Sequence, residues 1–406
     1  MITDIIPSHH TDSVLCCAVH STRNLLISGD EDGCLCFTDL TTRSPLGRLR
    51  DGDGDAAIPS VSYNPTDEHS AFAAVGTSIL RLDLRKSLGE EAIVDTFRIN
   101  TDEINSIDVD TTGSWIAAGD DSGEIQIISL KTSTAATTPS KTPPPAHRTL
   151  RRGHTNICNA VSFRPSRPNE ILSGGLDSRM VRWDFTKLRQ LSAFNMTSSA
   201  GGGIGGDGNN DSGGQFCNPP MINSLAVCHE DGIDFPSLVA VARGDGCVAL
   251  YNGDAKATTT GNLNYSGRSS RGSGRASHSK NNKASTKQSS GANGASGSRG
   301  IEDAQGAQVT PSSALCWAAG PHQGGHTAAV NCVSFLRDTA GKKLISVGND
   351  RKVCIWDWQN AAEPVDEIVH RAKINWVCSG RGVGAGEIDA VLADVAGKLL
   401  AVTFKE

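Results

Sequence analysis

The chain has 406 residues, 37% of them hydrophobic and 5% aromatic, with 44 glycines and a formal net charge of -6. The low apolar fraction implies segments that do not pack, and the mild acidity argues against a general phosphate-binding surface. No apolar run approaches the ~20 residues of a membrane helix, and Met1-Ile2-Thr3-Asp4 has no secretory character.

A reducing compartment, cytosol or nucleus, is therefore expected. The 12 cysteines are scattered, and none shows the C-x-x-C spacing of a zinc site, so neither metal nor cofactor is expected.

Along the chain, short β-rich runs recur. Ile2–Ile6 comes first, followed by His10 and the string from Ser28 through Asp32 to Asp39. Phe72–Gly76 leads to Ile79–Asp83; Ile104–Val109 leads to Ile116–Gly119 and Ile125–Ser129. Gly153-His154 opens a unit that passes through Ser173 and Asp177 to Trp183-Asp184. Leu238–Asp245 precedes Val248–Tyr251, and Gly325-His326 opens a unit running through Ser346 and Asp350 to Trp356-Asp357. Val391–Asp394 and Leu399–Val402 close the series. Each pairs two strand-like runs across a Gly/Asp turn, which predicts antiparallel hairpins. Seven units result, at roughly 45 residues apiece once the inserts 131–146, 197–216 and 255–311 are set aside.

The Gly-His openings and Trp-Asp endings at fixed spacing resemble the WD repeat. That resemblance implies an all-β, seven-bladed WD-repeat propeller filling residues 1–406 as a single monomeric domain. His154, Ser173, Asp177 and Trp183 are predicted to form one hydrogen-bonded set, repeated by His326, Ser346, Asp350 and Trp356. His10 and Asp32 are its partial copy in the first unit. A Ser, a His and an Asp invite a catalytic reading, but a triad occurs once and faces a cleft, whereas this set recurs at positions the fold buries. With no phosphate loop or nucleophile elbow either, no enzyme is expected. The last unit ends one strand short, and Ile2–Ile6 is predicted to supply it.

The three inserts are of low complexity and are predicted to be disordered. The first and third follow third strands and should leave from one rim, the second from the other. Residues 255–300 carry eight Lys or Arg and no Asp or Glu. That makes a chromatin- or RNA-associated arm the alternative function, although the lone Tyr265 offers little base stacking and nucleic acid is not the favoured partner. Asn105, Asn223, Asn331 and Asn375 each stand second in an inner strand. They are predicted to ring one channel mouth beside Trp376 as a peptide-reading site, or else to satisfy their own loops.

Longer strings extend the likeness beyond the generic repeat. Asp102–Ser106, Gly119–Ile127, Gly153–Cys158, Val161–Pro168, Gly174–Asp177 and Lys373–Trp376 resemble a branch of the WD-repeat family grouped with candidate substrate receptors of cullin-4 ubiquitin ligases. The resemblance implies a non-catalytic scaffold for proteins or peptides. It also implies that an aromatic-Asp-x-Arg ending a third strand contacts the damage-binding adaptor. Trp183-Asp184-Phe185-Thr186 and Trp356-Asp357-Trp358-Gln359 lack the Arg. Leu82-Asp83-Leu84-Arg85 keeps the Asp and the Arg, which makes Asp83 and Arg85 the candidate adaptor contacts.

Overall fold

The computed structural model describes residues 1–50, 56–131, 146–199, 218–228, 237–255, 308–309, 314–337, 339–380 and 388–404. Among them are seven sheets, antiparallel but for one two-residue parallel strand added to the fourth. Blade 1 comprises β2 (Val14–Val19), β3 (Leu25–Asp30), β4 (Cys34–Asp39) and β5 (Ser44–Arg50). Blade 2 comprises β6 (Val61–Tyr63), β7 (Ser70–Val75), β8 (Ser78–Asp83) and β9 (Ile93–Phe97). Blade 3 holds β10 (Ile104–Val109), β11 (Trp115–Asp120), β12 (Ile125–Ser129) and β13 (His147–Leu150). Blade 4 holds β14 (Cys158–Phe163), β15 (Glu170–Gly175), β16 (Arg179–Asp184) and β17 (Arg189–Asn195), with β21 (Gln308–Val309) added. Blade 5 is β18 (Ile222–Val227), β19 (Leu238–Arg243), β20 (Val248–Asn252) and β22 (Leu315–Ala319). Blade 6 is β23 (Val330–Phe335), β24 (Lys343–Gly348), β25 (Lys352–Asp357) and β26 (Asp366–Val369). Blade 7 joins β27 (Ile374–Ser379), β28 (Ala390–Asp394) and β29 (Leu399–Thr403) to β1 (Ile2–Ile6).

The inner strands contact one another in the cyclic order β2, β6, β10, β14, β18, β23, β27 and back to β2. The seven-bladed propeller expected from the repeats is therefore the fold. Its core is a set of slabs between blades. Leu35 and Phe37 meet Ile58 and Leu80 between blades 1 and 2, and the series runs round to Ile6, Val391 and Leu399 meeting Val14 and Leu26 between blades 7 and 1. Second strands are accordingly apolar on both faces, as Leu25–Asp30 and Leu238–Arg243 show, and both are buried throughout. Small residues in these strands let blades approach. A Cβ on Gly174 would lie 2.4 Å from Ile222 Cγ2 of the next blade.

The ring closes as the missing fourth strand required. β1 pairs antiparallel with β29, from Ile2 opposite Thr403 to Ile6 opposite Leu399. Asn375 Nδ2 crosses the same seam to Ser13 Oγ (2.9 Å) and the Val14 carbonyl (3.0 Å). Between blades 4 and 5, the buried Arg164 guanidinium donates to Ser237 Oγ and Asp254 Oδ1, both at 2.8 Å, and pairs with Glu170.

Most residues of the three inserts lie outside the described residues. The insert ends that are described fit the expected rims: Lys131 follows β12, Ala255 follows β20, and Thr197 follows β17. Within the third insert, Gln308 and Val309 pair in parallel with Ala193 and Phe194, so this part of 255–311 covers the outer edge of blade 4.

The fastening networks follow the predicted residues in two blades. His154 Nδ1 lies 3.0 Å from Asp177 Oδ1 and its Nε2 lies 2.7 Å from Ser173 Oγ, which also accepts from Trp183 Nε1 at 2.9 Å. His326 repeats this with Asp350 (3.0 Å) and Ser346 (2.8 Å), and Trp356 Nε1 donates to Ser346 Oγ at 2.8 Å. Burial works to raise the Asp177 and Asp350 carboxyls, but hydrogen bonds from these histidines and from the Thr155 and Thr327 N–H groups hold both below the ordinary range.

Blade 1 corrects the alignment. The partner of His10 Nδ1 is Asp30, at 2.7 Å, with Ser28 Oγ 2.7 Å from Nε2. Asp32 is half-buried on the turn and faces Arg50 at 3.6 Å. The reason is steric. In blades 4 and 6 the last residue of the second strand is Gly175 or Gly348, and a Cβ at Gly175 would sit 2.5 Å from His154 Nδ1. The carboxylate must then come from two residues further on. In blade 1 that terminal residue is itself an aspartate, which reaches the histidine directly and caps the turn through Cys34 N (2.7 Å). Blades 3 and 7 do the same with Asp120, bonded to Asn100 (2.8 Å), and Asp394, bonded to His370 (2.9 Å).

The two blade-1 aspartates should therefore differ sharply. Asp30→Ala is expected to cost about 2–4 kcal/mol in urea unfolding, since it strands a buried histidine, and Asp32→Ala to stay within about 0.5 kcal/mol. Equal effects would contradict the assignment.

Candidate functional site at the channel

In each blade the inner strand begins at one face of the ring and ends at the other. The asparagines predicted to form a reading ring stand at the starting face, but their amide groups hold the blades together. Asn223 Nδ2 donates to the Val330 carbonyl at 2.8 Å, and Asn331 Nδ2 donates to the Ile374 carbonyl at 2.8 Å. Asn375 spans blades 7 and 1 in the same manner, and Asn159, which the repeat comparison missed, donates to the Asn223 carbonyl at 2.9 Å. These are latches between successive blades 4, 5, 6, 7 and 1. Asn105 bonds within its own blade, to Asp121 Oδ1 at 2.8 Å, and Asn331 adds a bond of that kind to Asn349 Oδ1 at 3.0 Å. Each of these amide groups is thus engaged by the fold.

Trp376 does line the channel. It borders the two smaller cavities, of about 180 and 260 Å³, and its ring packs against apolar slabs on both sides of blade 7 and against the slab between blades 1 and 2. It acts as a wedge in the wall beside Cys17, Cys332 and Cys378.

The larger space lies at the opposite face, where the inner strands end. A cavity of about 640 Å³ is lined by residues from all seven blades, among them Ala18, Tyr63, Asp108, Ser162, Leu225, Arg337 and Ser379. Its wall is mixed: hydroxyls of Ser62, Ser162, Ser334 and Ser379 alternate with Val19, Val227 and Phe335. The charged groups lining it are Asp108, on β10, and Arg337, exposed just beyond β23. Burial pushes the Asp108 carboxyl up to about 7, against the hydrogen bonds it accepts from the N–H groups of Phe163 (2.7 Å) and Val109 (2.9 Å). Neither residue belongs to a repeat pattern, so sequence reasoning had no means of pairing them.

Asp83 and Arg85 lie at the end of β8, a third strand, and so on the face of this cavity. Arg85 is two-thirds exposed, and its guanidinium folds back as a fork, Nε to Asp83 Oδ1 at 2.9 Å and Nη2 to Oδ2 at 2.8 Å. That fork holds the Asp83 carboxyl well below the usual carboxylate range. Leu82, which stands where the motif has an aromatic residue, is fully buried.

Among the described residues, one group of His, Cys and carboxylate side chains lies close enough to share a metal ion: His10, Cys34 and Cys36. No helix among them is long and apolar enough to cross a membrane.

Seven blades, repeated His-Asp-Ser-Trp fastenings and a central channel define the fold as a WD-repeat β-propeller. The profile of the WD domain, G-beta repeat, matches residues 3–39, 92–129 and 321–357, which fall on blades 1, 3 and 6. More particularly, the chain is similar to the WD repeat-containing protein 53 homolog of Dictyostelium discoideum. The two are 24% identical over 247 residues, which is 59% of this chain and 62% of that protein. The match thus spans less than two-thirds of that relative's length. A propeller of this kind is typically a non-catalytic scaffold for other proteins.

The sign of the Asp108 effect follows from linkage. Between ~3.9, where the unfolded carboxyl titrates, and about 7, the folded chain holds a proton that the unfolded chain releases, so stability falls as pH rises through that window. Asp108→Asn should match the parent at pH 4 and exceed it by about 1–3 kcal/mol at pH 7.5 in urea unfolding. Parallel pH profiles would show that the carboxyl is not perturbed.

Proposed function

We propose that the chain is a scaffold that grips a protein partner at the face where its inner strands end, and that it serves there as a substrate receptor of a cullin-4 ubiquitin ligase. The observation that carries the first half is the mouth of about 640 Å³ built jointly by all seven blades, with hydroxyl, apolar and ionisable groups converging on it. No one blade forms such a site, so its shape depends on the whole ring. The constellations that resemble catalytic triads support a non-catalytic reading. Each histidine has both ring nitrogens engaged by buried side chains, leaving none to take a proton from a substrate.

The ligase half rests on Asp83 and Arg85. They lie on the same face, and the exposed guanidinium is oriented by its aspartate, as a charged contact for an adaptor requires. The test is co-purification with the damage-binding adaptor of cullin-4. Arg85→Ala should reduce recovery at least tenfold, about 1.4 kcal/mol of binding, while the thermal midpoint stays unchanged. Undiminished recovery would remove the ligase role and leave the scaffold. Arg337→Glu, which inverts the charge at the mouth, should leave adaptor recovery intact and impair binding of the substrate that the receptor carries.

A further inference from the structure

We propose that blade 1 contains a zinc site made by the Cys34 and Cys36 thiolates, His10 Nδ1 and the Asp30 carboxylate. The two sulfurs are 3.7 Å apart, and Cys36 Sγ is 3.7 Å from His10 Nδ1. A tetrahedral zinc ion with bonds of about 2.3 Å to sulfur and 2.0–2.1 Å to nitrogen separates its ligands by about 3.8 Å and 3.6 Å respectively. Two of the three ligand pairs thus already stand at the spacing one ion requires, and all three atoms lie within 4.8 Å of one another in buried residues. Asp30 Oδ2, 2.7 Å from Nδ1, lies beside this cluster and not within it, and completes the set by turning from the imidazole toward the sulfurs as the ion enters. Ser28 Oγ, 2.7 Å from Nε2, supplies the outer partner that fixes the imidazole with Nδ1 toward the ion.

Comparison among blades supplies an independent reason. Blades 4 and 6 place Arg179 and Lys352 at the register position of Cys34, where they donate to the carbonyls of Gly153 and Gly325. They also place Trp183 and Trp356 where blade 1 has Thr38. Thr38 is fully buried and its hydroxyl has no partner. Blade 1 thus lacks both the cation and the indole that complete the fastening elsewhere, and carries two thiols instead. The exchange balances in charge. One Zn²⁺ enters, the two thiols release two protons to solvent, and the neutral imidazole moves its proton from Nδ1 to Nε2. The site keeps the single negative charge that Asp30 contributes in either state.

The test uses the full chain, purified with zinc sulfate present and then desalted exhaustively, with metal measured by mass spectrometry. About one zinc per chain is expected, and close to none for the double variant Cys34→Ser, Cys36→Ser, whose fold is checked by circular dichroism. The control Cys247→Ser, Cys316→Ser, which alters the more accessible thiols, should retain the full amount. Independently of any variant, Co²⁺ added to the metal-free parent should produce thiolate-to-cobalt charge transfer and the strong visible bands of a tetrahedral centre. Zinc below a tenth of an equivalent in the parent would overturn the site. So would equal zinc in the double variant, or an octahedral cobalt spectrum.

Discussion

The constraint on which everything else rests is that no blade has a core of its own. Apolar side chains on both faces of the second and third strands are buried only because another blade lies against each face, so the slabs between blades form one circular series. Such a series has no stable open form, because opening it anywhere exposes two faces. The seam between blades 7 and 1 is where the chain must meet its own beginning. There β1 completes blade 7, Ile6 enters the slab with Val391 and Leu26, and Asn375 reaches across to Ser13 and Val14.

Two systems of buried polar groups do different work in this ring. Within a blade, a carboxylate orients the histidine or asparagine that precedes the inner strand and caps the turn that follows. Between blades, asparagine amides satisfy the first carbonyls of the neighbouring inner strand. Both systems occupy the starting face, whereas on the ending face Arg164 ties blade 4 to Ser237 and Asp254 of blade 5, and Asp108 accepts from Phe163 N–H of the next blade. The wide mouth, with Asp108 and Arg337 in its wall, opens on that ending face.

Much of this was legible in the sequence because the fold repeats. Strand pairs alternating with Gly/Asp turns, and a last unit one strand short, contain the ring and its closure. The networks of blades 4 and 6 were legible for the same reason. Asp32 was misplaced because counting from Ser28 puts it in register with Asp177, whereas the glycine that decides which aspartate reaches the histidine is Gly175, and blade 1 has Asp30 there. His370 and Asp394 carry the same spacing as His326 and Asp350 and went unread for want of a Trp-Asp ending. The latches were not legible. Their acceptors are main-chain carbonyls one blade away, and nothing in the composition of a strand records which neighbour its asparagine will reach.

Hydrogen exchange of the native chain, followed by mass spectrometry, tests the closed ring most directly. Residues 2–6, although far in sequence from the rest of blade 7, should exchange only as slowly as β28 and β29, through opening of the whole ring. Exchange of that segment at the rate of a free peptide, with blade 7 still protected, would mean that the circle is not closed by this strand.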